Sequence, residues 1–192
     1  YFMWNFAGRQ NDLQGHGGLL DGNWISGIKW LDEIRLGPQS DLPESMANNW
    51  GRNKFYMIPL VLGLIGFFFH LKNHSRDTLV VALLFFMTGI AIVLYLNQYP
   101  LQPRERDYSY AASFYAFSIW IGLSVLAITD FLSKKLNQKL SASLAIIICL
   151  TAPAIMASEG WNDHSRRNRY TALELAKNFL EPCEKNAILF TF

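Results

Sequence analysis

Four stretches without a single Asp, Glu, Lys or Arg constrain this chain more than any other feature: residues 55–71 ("FYMIPLVLGLIGFFFHL"), 78–97 ("TLVVALLFFMTGIAIVLYLN"), 110–128 and 140–157. Each approaches the roughly 20 residues with which a helix crosses a hydrocarbon core of about 30 Å. A charge at the bilayer centre costs about 2.5 to 3.5 kcal/mol on insertion scales. Charge-free blocks therefore fit membrane spans better than the buried helices of a water-soluble globule. A hydrophobic content of 51% and an aromatic content of 15% in 192 residues point the same way. The expected fold class is all-α membrane: four transmembrane helices within 55–158, an outward-facing polar segment over 1–54, and the start of a C-terminal α/β domain over 159–192.

The net charge of +2 conceals where the cations sit. With four spans, both chain ends share a side with the loop 98–109, and the short loops 72–77 and 130–139 share the other. Those short loops carry Lys72, Arg76, Lys134, Lys135 and Lys139 against Asp77 and Asp130. The positive-inside tendency makes them cytoplasmic, which places both chain ends extracytoplasmic on a cytoplasmic (inner) membrane. Arg52 and Lys54, beside the first span, pull against this orientation. Cys149 falls inside the fourth block and Cys183 in the polar tail, so their difference in depth disfavours a disulfide between them.

In the N-terminal segment, Trp24, Ile25, Ile28, Leu31 and Ile34 recur at near-helical spacing among Lys29, Asp32, Glu33 and Arg35. That pattern predicts a short helix, lying either in the membrane interface or packed in a polar loop. Past the fourth span, residues 165–180 read as a helix capped by Ser165 and stopped by Pro182. Residues 187–192 read as a strand, so helix and strand together would open an α/β domain. The absence of an initiating Met and the apolar finish suggest a piece of a longer protein. The arginines within 166–169 are too few for nucleic-acid binding, and no nucleic-acid partner is expected.

Chemistry concentrates in "QPRERDY". Pro100 and Pro103 disfavour extension of the second helix, so Arg104, Glu105, Arg106, Asp107 and Tyr108 occupy a stiff turn beside an apolar segment. Guanidinium groups hold phosphate bidentately, and a neighbouring low dielectric strengthens the contact. Carboxylates there would serve as bases or metal ligands, since neighbouring charges tune their pKa. The same turn would also serve simply as an anchor, its arginines reaching headgroups and its acids pairing with them. Downstream, Ser118 and Gly122 have small-xxx-small spacing that permits close helix packing. A second cluster, "EGWNDHSRRNRY", offers Trp161 as a stacking face and Asp163 with His164 as a proton-handling pair. Interface anchoring and helix capping are the alternative roles for those residues.

Taken in order, "NFAGRQNDLQGHG", "LNQYPLQPRERDYSYAASFYAFSIWIG", "WNDHSRRNRYTALELAKNFL" and "NAILFT" resemble the bacterial multi-spanning membrane family catalogued as domain of unknown function 2723. The resemblance covers nearly the whole chain. It implies a relative of a protein O-mannosyltransferase among membrane-embedded glycosyltransferases of the GT-C type. A polyprenyl-phosphate sugar would be the donor substrate and a protein the acceptor, in contact with the lipid bilayer at its outer face. Arg104 and Arg106 would then neutralise the donor phosphate. Asp107 or Glu105 would orient it or take the acceptor proton, and Tyr108, Trp161 and His164 would complete substrate binding. The resemblance implies no defined metal site and leaves divalent-metal dependence open. Where the family tends to read "NWDDHDRS" this chain reads "GWNDHSRR", with Asn162 and Ser165 in place of acids. The family's earlier spans, which would carry the main catalytic base, lie outside this sequence. The reading left beside it is a non-catalytic membrane scaffold.

Overall fold

A computed structural model describes residues 1–13, 17–97, 107–164, 167, 170–185, 187 and 188. The chain is mostly helical, and three helical stretches are long and apolar enough to cross a membrane: Ser75–Leu96, Tyr108–Leu132 and Gln138–Asn162. The remaining apolar helix, α4 (Ile58–Asn73), has 16 residues. At about 1.5 Å per residue it spans roughly 24 Å, short of a full hydrocarbon core.

The second expected span is two helices, α5 (Ser75–Thr88) and α6 (Ile90–Leu96), broken at Gly89. A 3-10 turn over Asp107–Tyr110 leads into α7 (Ala111–Leu132), and α8 runs Gln138–His164 through Pro153. Helix α7 is the centre of the bundle, with α4, α5 and α8 packed around it.

Close packing of α4 on α7 depends on glycine. A Cβ at Gly63 would overlap the Phe117 ring, and one at Gly66 would overlap the Trp120 carbonyl. The expected Ser118 and Gly122 contact does not form among the described helices: Ser118 is exposed and nothing approaches the Cβ position of Gly122. The small residues that bring the helices together are on α4. Helix α8 contributes a second small-residue face, with Ser141, Ala145, Cys149 and Ala152 all buried. Leu62, Cys149 and Ala152 form one core cluster with Ile58, Ile121, Val125 and Ile128 against it.

The N-terminal segment covers one end of the bundle. Helix α1 (Phe2–Phe6) inserts two aromatic rings into the helices. Phe6 and Phe2 lie 4.5 and 4.9 Å from the Phe117 ring, completing a core with Trp120 and Phe67. Strand β1 (Gly8–Arg9) then pairs antiparallel with β2 (Asn53–Lys54), and an isolated bridge joins Arg9 to Trp24. Gly8 has φ of 142°, and a Cβ there would overlap the Asn53 carbonyl, so the crossing requires glycine.

Between these strands lie α2 (Lys29–Leu36) and α3 (Glu44–Ala47). The predicted helix in this segment thus starts at Lys29, after Trp24, Ile25 and Ile28. Ile25 is buried below the strand crossing, and its N–H donates to the Gly8 carbonyl at 3.0 Å. Asp32, expected on a polar helix face, is buried instead. Its Oδ1 accepts from the Ser26 N–H at 2.7 Å and the Ser26 hydroxyl at 2.9 Å, and its Oδ2 accepts from the Gly27 N–H at 2.8 Å.

Beyond α8, the described residues hold one helix, α9 (Thr171–Leu180), with Tyr170 at its cap position and Pro182 just past its end. Ser165, the expected cap, lies outside the described residues. Of the expected strand 187–192, Ala187 and Ile188 are described and carry no strand, and 189–192 lie outside the described residues.

Candidate functional site at the capped end

The bundle end covered by the N-terminal segment gathers the chemistry. Where α5 breaks at Gly89, an apolar groove of about 350 Å³ runs between α1, α6 and α7. Phe2, Phe85, Ile90, Val93, Tyr110 and Phe114 line it. Local sequence explains its shape. Gly89 has φ of −114° and ψ of −92°, outside the helical range, which ends α5 and starts α6 on a new axis. Tyr110 closes the 3-10 turn and stacks on Tyr1 with ring centroids 5.6 Å apart, tying the chain's first residue to the groove wall.

The groove wall begins where the charged turn ends. Asp107 opens the 3-10 turn whose last residue, Tyr110, lines the groove. Arg104, Glu105 and Arg106 lie outside the described residues, as do the positions 98–103 before them. Tyr108 is exposed. Trp161 is exposed on α8, and His164 is the last residue of that helix. Asp107, Tyr108, Trp161 and His164 therefore belong to the ends of α7 and α8 that share one side of the bundle. Among the described residues, no group of three or more His, Cys, Asp or Glu side chains could hold a metal ion.

Compared with known proteins, the chain matches no family model, no curated protein and no solved structure.

Three arrangements at and below this end, two part-buried and one buried, had no signal in the sequence. At the capped end, Arg52 reaches across the N-terminal segment: its Nη2 donates to Gln39 Oε1 at 3.0 Å and its Nη1 to the Gln10 carbonyl at 3.4 Å. Burial holds the Arg52 guanidinium below its ordinary pKa, and the charge of Asp32 opposes that shift. Arg35 is shifted the same way for the same reasons. Its guanidinium lies 3.4 Å over the Trp24 ring and donates to the Trp24 carbonyl and to Asn23 Oδ1. Arginine followed by a turn reads as a surface residue, so only the fold reveals these braces. Deeper in the bundle, His70 is buried and its Nδ1 accepts from Trp120 Nε1–H at 3.3 Å. That acceptor role assigns the neutral tautomer with its proton on Nε2. The bond ties α4 to α7 near the end opposite the cap.

Chemically, the capped end offers an apolar channel whose wall includes Tyr110, the last residue of the 3-10 turn that Asp107 opens. Such an arrangement suits an amphiphile with a long apolar chain.

Proposed function

We propose that this chain is part of a membrane-embedded glycosyltransferase that moves a sugar from a polyprenyl-phosphate donor to a protein hydroxyl. The observation that carries the reading is the apolar groove of about 350 Å³ whose wall includes Tyr110, at the end of the 3-10 turn that Asp107 opens. An isoprenoid chain would lie along Phe85, Ile90, Val93 and Phe114, and its phosphate would meet Arg104 and Arg106. The resemblance of "QPRERDYSYAASFYAF" to the family catalogued as domain of unknown function 2723 supports the same assignment. In the reaction, the bond from the sugar's anomeric carbon to the donor phosphate oxygen breaks as the acceptor oxygen bonds to that carbon. The acceptor proton passes to Asp107 or Glu105, and the arginines neutralise the departing phosphate. Tyr108, Trp161 and His164 complete the sugar and acceptor contacts.

In this reading α4 is a fourth membrane-embedded helix beside the three longer ones. The capped end faces the extracytoplasmic side of the cytoplasmic membrane, and 159–192 begins an α/β domain there. The lysine and arginine excess in the loops 72–77 and 130–139 supports that orientation.

The test is transfer of radiolabelled sugar from polyprenyl-phosphate donors by the complete protein, with Arg106→Gln, Asp107→Asn and Val93→Trp alongside. The first two variants are expected to lose transfer while inserting normally, by about 10²- to 10⁴-fold for the proton-accepting carboxylate. Val93→Trp, which narrows the groove, is expected to weaken long-chain donors more than short-chain ones. Transfer unchanged in Arg106→Gln and Asp107→Asn would make the turn an interfacial anchor and the protein a scaffold.

A further inference from the structure

A second cavity at the capped end shares no residue with the groove. It is open, polar and about 360 Å³, within the usual range of about 300 to 1,000 Å³ for small-molecule sites. Its lining includes Asn48, Trp50, Arg52, Ser158, Glu159 and Asn162. Two opposite full charges face this one space, and among the described residues no ion pair joins them. Each is pinned elsewhere instead. Glu159 Oε2 accepts from the Lys54 N–H at 2.9 Å, which leaves its other oxygen without a partner among the described residues. Arg52 is fixed by Gln39 and the Gln10 carbonyl, with its Nε likewise without a described partner.

Depth is the second observation. Asn162 ends the apolar helix Gln138–Asn162, and α4 starts at Ile58, shortly after Arg52. The cavity therefore lies at the level where spans end and headgroups begin. Trp50, 64% exposed, sits where tryptophans concentrate at a membrane interface.

We propose that this cavity binds the zwitterionic headgroup of an aminophospholipid, with the phosphate against Arg52 and the ammonium between Glu159 and the Trp50 ring. A simple anion would meet Arg52 but be repelled by Glu159, and a neutral polyol would leave both charges uncompensated. Phosphoethanolamine carries the complementary pair, with a phosphate suited to a guanidinium fork and an ammonium suited to a carboxylate and an aromatic face. The half-buried guanidinium, depressed in pKa by desolvation, gains from a nearby anion. This site is independent of glycosyl transfer: it uses neither the charged turn nor the groove.

The test uses the full chain in nanodiscs of equimolar phosphatidylethanolamine and phosphatidylglycerol, with retained lipid counted by native mass spectrometry after mild delipidation. Wild type is expected to retain phosphatidylethanolamine by about fivefold over phosphatidylglycerol, the scale of a well-formed, partly exposed charge pair. Glu159→Gln keeps an acceptor for the Lys54 N–H and is expected to bring the ratio to about one. Asn162→Lys, on an exposed position, is expected to turn the preference toward phosphatidylglycerol. A wild-type ratio near one overturns the proposal, as does a wild-type ratio that both variants preserve. In a parallel arm, O-phosphoethanolamine is titrated onto the detergent-solubilised chain. Binding of the free compound without any lipid preference in nanodiscs would assign the cavity to a soluble zwitterion and overturn the lipid source.

Discussion

At the scale of single residues, the loops of the N-terminal segment are held by buried polar side chains as well as by the apolar anchors Phe6 and Ile25. Gln10 Nε2 and Asn11 Nδ2 donate to the Leu19 and Leu20 carbonyls at 2.8 and 2.7 Å, and their oxygens accept from the Asn23 and Gly22 N–H groups. Asp32 does the same for the turn at Ser26 and Gly27. Removing one such partner leaves buried donors unsatisfied, at about 1 to 3 kcal/mol each. Asp32→Ala is therefore expected to loosen the segment by at least about 1 to 3 kcal/mol for the buried Ser26 N–H, with a smaller addition for the part-buried Gly27 N–H. Hydrogen exchange checks it: the Ser26 and Gly27 amides should lose protection while the amides of α7 keep theirs. Asp32→Asn, which retains an oxygen for Ser26, should lose less. Little of this was legible in the sequence. Asp32 has the local context of a polar helix face, and its burial follows only from the turn that Gly27, at φ of 81°, folds back over it.

At the scale of elements, α4 and α7 approach closely because Gly63 and Gly66 present no side chain to Phe117 and to the Trp120 carbonyl. Backbone cannot yield as a flexible side chain can, so Gly66→Ala is expected to overpack this contact and cost about 1 to 3 kcal/mol. Gly122→Ala is the matched comparison, since nothing lies within 4 Å of its Cβ position. It should leave thermal unfolding of the detergent-solubilised protein unchanged or slightly raised, through the roughly 1 kcal/mol better helix propensity of alanine. Equal losses in the two variants would count against this packing. The elements themselves were largely legible: four apolar blocks became the helices of the bundle, displaced at their ends by a few positions. The break at Gly89 was not. A lone glycine in an apolar run is tolerated in many helices, and only the fold shows that a Cβ at this one would crowd the Phe85 carbonyl and the Ser113 side chain of α7. The groove exists because of that break, so the part of the candidate site that receives an apolar chain was hidden while the charged turn beside it was plain.

At the scale of the whole molecule, the bundle is asymmetric: one end carries the N-terminal segment, the 3-10 turn at Asp107 and both cavities, the groove and the one at Glu159, and the other carries short lysine-rich loops. The charge pattern from which an orientation is expected is readable in the sequence because it resides in loop composition, which needs no tertiary contact. The α4 length was not, since the apolar block begins at Phe55 but the helix starts only after Tyr56 and Met57, both at positive φ. That turn directly follows the β1–β2 pairing, which ends at Lys54. Orientation yields a prediction that uses the native thiols. Cys149 is buried within α8, while Cys183 lies past α9 in the tail. With the capped end extracytoplasmic, a membrane-impermeant maleimide should label Cys183 in cells whose outer barrier is permeabilised and whose cytoplasmic membrane is intact. Cys183→Ser should abolish that labelling, because Cys149 remains shielded by Leu62 and Ala152. Labelling that appears only after the cytoplasmic membrane is opened would invert the molecule. The groove and the charged turn would then face the cytoplasm, where the proposed extracytoplasmic acceptor is absent, and the transferase reading would fall with the orientation.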